Sequence, residues 1–261
     1  MDVRFRIHYN TVWGQKLCVV GSIPQLGNWE PVLAKEMRYV ADGEWTLELE
    51  LPDSVDQIEY RYFVRMEDDH ALFEEWERKH TVKFDKRSKI YTFFDVWHTM
   101  PANKVFYASA FTKGLFAHVT GQHKREPESD KKLVIRVAAP RIEKYQCVAI
   151  TGNQPCLGNW DPQKALLLTC DQMPDWHIDL DAAQIEYPLE YKFIAWDERE
   201  SQPLYWENGD NRTVSMQAHK AGETVVITGE PFRESQAPWR GAGCVIPVFS
   251  LRSTKSFGVG D

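Results

Sequence analysis

Two short strings in this chain, Leu26-Gly27-Asn28-Trp29 and Leu157-Gly158-Asn159-Trp160, each place a tryptophan at the end of a turn. A second tryptophan follows each string in polar surroundings, at Trp76-Glu77 and at Trp206-Glu207-Asn208-Gly209-Asp210-Asn211. An indole among Gly, Asn and Asp is poorly placed for a core. Exposed, it does one kind of chemistry well: the C–H face of a pyranose leaves water against the flat ring while the hydroxyls stay solvated or hydrogen-bonded. Such a platform holds neutral glycans and needs no charge. Two rings per copy would form an angled ledge. Trp45 and Trp176 begin runs of alternating apolar residues and are assigned to cores instead.

The two strings belong to a longer repeat. Setting Gly21 against Gly152, an offset of 131 (152 − 21), pairs Gly-Ser-Ile-Pro-Gln-Leu-Gly-Asn-Trp-Glu-Pro with Gly-Asn-Gln-Pro-Cys-Leu-Gly-Asn-Trp-Asp-Pro. The same register carries Trp45 onto Trp176 and Glu59-Tyr60 onto Glu190-Tyr191, and a slip of one residue pairs Trp76-Glu77 with Trp206-Glu207. This is a tandem duplication. Within each copy apolar residues recur with period two, as in Phe5, Ile7, Tyr9 and in Leu133, Ile135, Val137, between clusters of Gly, Pro, Asn and Asp. That pattern predicts an all-β chain of two tandem antiparallel, immunoglobulin-like β-sandwich modules, over 1–98 and 131–233. The segment 99–130 has the composition of a linker at its ends, but Val105, Phe106, Tyr107, Phe111, Leu115 and Phe116 are too apolar to stay in water and are expected to pack on one or both modules.

Composition excludes several alternatives. A formal charge of −7 without a long Lys/Arg run offers nothing to nucleic acid or to an anionic membrane. No apolar run approaches membrane-spanning length, and the amino terminus alternates polar and apolar residues like a first strand, not a signal peptide. Five cysteines without CxxC spacing argue against a zinc site or a complete disulfide framework, which fits a reducing, cytoplasmic setting. Neither a HExxH motif, nor a nucleophile elbow, nor a phosphate loop is present, so no catalytic residue, metal or cofactor is expected.

At Gly-Ser-x-x-x-Leu-Gly-Asn-Trp, Glu-Tyr-Lys-Phe-Ile and Trp-Glu-x-x-x-Asn-Arg the chain resembles the family 20 carbohydrate-binding modules, the starch-binding domains of amylolytic enzymes. The resemblance covers both copies and implies α-1,4-glucans as partners: starch, glycogen, maltooligosaccharides and cyclodextrins. It implies a first sugar site in the second copy made of Trp160 and Trp206 as ledge, Lys192 as donor and Asn211 as donor and acceptor. In the first copy it implies a weaker site at Trp29, Arg61 and Trp76, where no Asn-Arg follows the Trp-Glu pair. A second site in that copy would use Trp13, with Tyr39 as its further aromatic.

From Pro238 the text changes to a glycine-rich segment with no counterpart in either copy, Pro-Val-Phe-Ser-Leu-Arg-Ser and then Gly-Val-Gly-Asp. It is similar to the opening of the (β/α)8-barrel catalytic domain of family 77 amylomaltase-type 4-α-glucanotransferases, which implies that 234–261 is the truncated start of such a domain, a partner within the same polypeptide. The implied reaction transfers an α-1,4-glucan segment to an acceptor sugar through a covalent intermediate on a carboxylate. Those carboxylates would lie beyond Asp261.

Overall fold

The computed structural model describes residues 1–66, 71–76, 78–101, 104–115, 123, 127–143, 145–216 and 219–234. The expected barrel start lies outside the described residues, apart from Glu234, as does Phe116.

In the first copy the alternating runs become strands β1 (Asp2–His8), β2 (Gln15–Gly21), β3 (Lys35–Glu36), β4 (Arg38–Tyr39), β5 (Glu44–Glu50), β6 (Gln57–Met66), β7 (Ala71–Glu74), β8 (His80–Lys83) and β9 (Ile90–Asp95). The second copy repeats the series as β10 (Lys132–Ala138), β11 (Gln146–Gly152), β12 (Leu166–Leu167), β13 (Thr169–Gln172), β14 (Asp175–Asp181), β15 (Leu189–Asp197), β16 (Gln202–Trp206), β17 (Arg212–Val214) and β18 (Glu223–Thr228). Period-two patterning does what it predicts: Phe5, Leu133 and Ile135 are wholly buried, and the core tryptophans Trp45 and Trp176 keep 6% and 1% of their surface. In each copy one sheet carries the ledge strands, β3-β2-β6-β7 with β8 on β6 and β12-β11-β15-β16 with β17 on β15.

The opposing sheets depart from the expectation of separate antiparallel sandwiches. They are one eight-stranded sheet, ordered β13-β14-β10-β18-β9-β1-β5-β4. Within it β1 pairs β9, β10 pairs β18 and β18 pairs β9, all in parallel. The last strand of each copy would otherwise be an unpaired edge, and pairing the two satisfies both rows of backbone groups. In the β9–β18 ladder Phe93 stands beside Val226, so both point to one face. Val226 and Val134 accordingly join the first module's core, while Phe94 packs on the second. The two ledge sheets therefore cover opposite faces of the shared sheet.

Polar contacts close the junction. Ser88 Oγ lies 2.6 Å from Thr224 Oγ1, Thr92 donates to Glu223 at 2.8 Å, Lys132 pairs with Asp85 and Asp179, and Arg78 pairs with Asp175. Two of the linker's apolar residues pack as expected, Tyr107 meeting Trp76 edge-on at 5.0 Å and Phe106 lying under Arg141 at 5.6 Å, but Val105 is 53% exposed, and the side chains of Phe111 and Leu115 lie outside what the structure describes.

Candidate glucan-binding site

The Leu-Gly-Asn-Trp strings are backbone devices. In each, three consecutive residues adopt positive φ: Gly27 (80°), Asn28 (50°) and Trp29 (68°), then Gly158 (78°), Asn159 (50°) and Trp160 (63°). Glycine is required at the first place, since a Cβ on Gly27 would sit 2.7 Å from the Leu33 carbonyl oxygen and one on Gly158 2.9 Å from Lys164 Cβ. Asparagine tolerates the second, and the tryptophan bears strain of about 1–2 kcal/mol. The buried plugs Leu26 and Leu157 hold the turns down, helped in the second copy by Thr151 Oγ1 donating to the Leu157 carbonyl at 2.9 Å. The strain presents an indole on the outer face of the ledge sheet.

In the second module the other ledge residues come from β15, β16 and the entry to β17. Trp206, 38% exposed, stands opposite Ile194 on β15, and β16 adjoins the turn Pro162–Lys164 that follows Trp160. Lys192 is two residues before Ile194 on the same face, with its Nζ donating to the Gly209 carbonyl at 2.6 Å. Asn211 donates from Nδ2 to Glu190 at 3.2 Å. Each keeps capacity for a ligand: an ammonium has three donors, and a side-chain amide has two donors and an acceptor oxygen.

Behind the ledge lies a buried ion cluster. Glu207, next to Trp206, accepts from Phe193 N, from Arg212 Nε and Nη2 at 2.9 and 2.8 Å, and from Arg233 Nε at 3.1 Å. Arg212, next to Asn211, also donates to the carbonyls of Glu230 and Pro231. Burial alone would raise the Glu207 carboxyl, but the hydrogen bonds from Arg212 and Arg233 outweigh it and hold it below the usual carboxylate range. This pair clamps the two chain segments that carry Trp206 and Asn211.

The first module has the same frame with different chemistry. Glu74 stands opposite Phe63 as Trp206 stands opposite Ile194, so the pairing of Trp76 with Trp206 read from the repeat is corrected by two positions. The β15–β16 hairpin is one residue longer, Arg65 pairing Ala71 where Trp196 pairs Pro203. Trp76 instead packs on Tyr107 of the linker, and its N–H donates to the His98 carbonyl at 2.9 Å. Lys79 takes the place of Asn211 and bonds the matching carboxylate, Glu59, at 3.0 Å. Arg61 takes the place of Lys192. Trp29 packs, as Ala34 does, against the Cys18, Val20 and Phe63 group, with Lys79 Nζ 4.6 Å and Arg61 Cζ 5.8 Å from its ring centre.

His80 replaces Arg212 behind this ledge. Its Nε2 meets Glu75 at 2.9 Å and its Nδ1 lies 3.6 Å from Asp95, which also accepts the Tyr60 and Tyr62 hydroxyls at 2.7 and 2.8 Å. Burial opposes a charge on His80, yet the Asp95 and Glu75 carboxylates win and raise its pKa. His98 stacks on it at 4.0 Å and is lowered to about 2, by burial first and then by the charges on His80 and Arg78.

At the opposite end of β2, Trp13 is 98% exposed in the turn before Gly14. Tyr39, half exposed, rests edge-on against Trp45 at 5.3 Å. The bonds Tyr9 N to Gly43 O and Val40 N to Glu44 O fold the β4–β5 tip beside the β1–β2 turn, which puts both aromatics at one end of the sandwich. In the second module Lys144, at the Trp13 position, lies outside the described residues, and Arg199 covers the neighbouring Tyr145 ring at 4.7 Å.

Two clusters bring three metal-type ligands within 4.8 Å of one another, Glu75 with His80 and His98, and His123 with Cys147 and Glu198. In the first the stacked imidazole planes are 10° apart and cannot converge on one ion. In the second, burial first and then Glu198 and Asp197 push the Cys147 thiol up.

Sequence reasoning missed Glu190, Gly209, Glu74 and Lys79. Glu190 was within reach, because it precedes Lys192 by two on a strand and so shares its face.

Sandwich modules that spend backbone strain on presenting an indole beside an outward amide and amine are binding modules for neutral sugars. The chain belongs to the starch binding domain family, whose model matches residues 1–92 and again 132–227. Rice 4-alpha-glucanotransferase DPE2 is 28% identical over 273 residues, an alignment covering 98% of this chain and 28% of the rice protein. The chain thus spans little more than a quarter of that relative's length. The alpha-amylase of Streptomyces violaceus is 35% identical over 81 residues, covering 31% of this chain and 13% of the amylase. Among solved structures, the family 20 module of the maltotetraose-forming amylase from Pseudomonas saccharophila STB07 is similar at 24% identity and a TM-score of 0.30, covering 38% of this chain and 99% of that one. No helix among the described residues is long and apolar enough to cross a membrane.

Proposed function

We propose that this chain is the glucan-capturing part of a larger 4-α-glucanotransferase, with the second module's ledge as its principal site. Trp160 and Trp206 stack successive glucose rings of an α-1,4-glucan, Lys192 donates to a hydroxyl, and Asn211 donates to one and accepts from another. The Trp13 and Tyr39 end of the first module supplies a second contact. Two linked weak contacts gain by effective concentration what each lacks alone. The observation that carries this reading is the strained Gly-Asn-Trp turn, which places the Trp160 indole at the ledge sheet beside Lys192 and Trp206. The similarity to the rice glucanotransferase over nearly the whole chain supports the choice of parent enzyme. In that enzyme the modules would occupy 1–98 and 131–233, joined by 99–130, with the catalytic domain beginning at 234.

Titration calorimetry with maltoheptaose tests the reading. Saturable heat, lost in Trp160→Ala and in Trp206→Ala with folding intact, supports it. No heat from the unaltered chain sinks it and favours modules that serve only to pack the enzyme together.

A further inference from the structure

The outer face of the first module's ledge sheet differs in charge from its counterpart. Strand register places Lys16, Arg61, Arg65 and Lys79 where the second module has Cys147, Lys192, Trp196 and Asn211. The carboxylates at matching places are Glu36, Glu59 and, at the Trp206 place, Glu74 in the first module against Glu190 in the second, where Leu167 stands at the Glu36 position. Four cations against three carboxylates thus replace one against one. Glu36 is engaged by Lys16 at 3.1 Å and Arg65 at 3.9 Å, and Glu59 by Lys79 at 3.0 Å. Arg61 has a buried Nε with no hydrogen-bond partner among the described residues. A buried N–H without an acceptor is costly. Both Arg61 and Lys79 lie over Trp29, so two of the four cations are gathered at an aromatic of this face.

We propose that the first module's ledge is a site for phosphate-bearing α-glucan: the phosphate monoester of a glucose unit lies between Arg61 and Lys79, and that unit or its neighbour rests on Trp29. The guanidinium offers a planar fork to the phosphate oxygens, while the ammonium acts as a point charge drawn from Glu59 toward a dianion. A neutral glucan has nothing to draw Lys79 off the indole and gains little here. The two modules then divide the labour, the second gripping neutral glucan and the first reading phosphate esters along it. This inference rests on the glucan-binding reading of the family frame, and it assigns the first module a different ligand class.

The test uses the Trp160→Ala, Trp13→Ala double variant, in which both neutral contacts are removed, titrated with maltoheptaose, with maltoheptaose carrying a 6-phosphate monoester, and with inorganic phosphate. The expected result is saturable binding of the phosphorylated sugar at least about tenfold tighter than of the neutral one, weakening as salt screens it. Adding Arg61→Gln or Lys79→Gln, with folding checked by circular dichroism, should bring that ratio to about one. Equal binding of the two sugars, binding of neither, or inorganic phosphate binding as tightly as the sugar ester would each overturn the proposal. Persistence of tight neutral binding in the double variant would instead count against the second-module ledge, and the two failures are distinguishable.

Discussion

Replacing His80 by glutamine tests how the first module is held together. The Glu75, His80 and Asp95 side chains are essentially excluded from water, at 0%, 2% and 1% exposure. Without the imidazolium, two buried carboxylates lose the cation that lies between them, a loss in the range of about 3–5 kcal/mol. Glu75 keeps the N–H groups of Tyr62 and His98, and Asp95 keeps two tyrosine hydroxyls, which places the cost near the lower end, about 3 kcal/mol. For a chain of this size that lowers Tm by about 6–12 °C. The wild-type pH dependence follows with its sign. His80 is raised in the fold, so its contribution is complete below about pH 6.5 and is lost as pH rises through the raised value. His98 is lowered to about 2, so it takes its proton only on unfolding and costs stability as pH falls below about 6.5. The other charges facing this cluster are Glu75, Asp95 and Arg78. A guanidinium, that of Arg212, does the same work in the second module, so β15–β17 should show no alkaline loss. Amide exchange at pH 6 and pH 8.5, comparing β6–β8 with β15–β17, reads both modules in one molecule. Equal protection at both pH values in β6–β8, or a cost below about 1 kcal/mol for His80→Gln, would refute the reasoning.

Arg212→Gln should destabilise the second module by about 3–5 kcal/mol and also weaken maltoheptaose binding, because Asn211 loses its clamp; thermal melts and calorimetry on one sample would check both. Gly158→Ala should cost about 1–2 kcal/mol from its positive φ and its clash with Lys164, and should misplace Trp160, seen as weaker binding at temperatures where the fold is intact. Trp13→Ala should leave stability within about 0.5 kcal/mol, since the ring is almost wholly in water, yet lower affinity for long glucans more than for maltotriose.

Much of this molecule was legible because its repeat is written in local terms. Period-two runs located the strands, and the Gly-Asn-Trp triplets marked a turn in each copy, though not its left-handed backbone. The assignment of Trp45 and Trp176 to the cores came from the same alternation. The register failed beyond β6, because a single added residue in the β15–β16 hairpin cannot be located when another Trp-Glu pair stands nearby to attract the match. That error hid Glu74 and aligned Trp76 with the ledge. The sheet shared by the two modules was invisible for a different reason: β9 meets β18 through backbone groups, which leave no side-chain signature in either strand. The basic character of the first ledge needed three-dimensional register, since Lys16, Arg61, Arg65 and Lys79 are scattered through the first eighty residues.

Calorimetric titration of the unaltered chain with maltoheptaose, beside Trp160→Ala and Trp206→Ala, tests the central claim most directly. The account predicts saturable binding that weakens by about 2 kcal/mol, roughly thirtyfold, in each variant, with melting unchanged. Binding of full strength in both variants would contradict it.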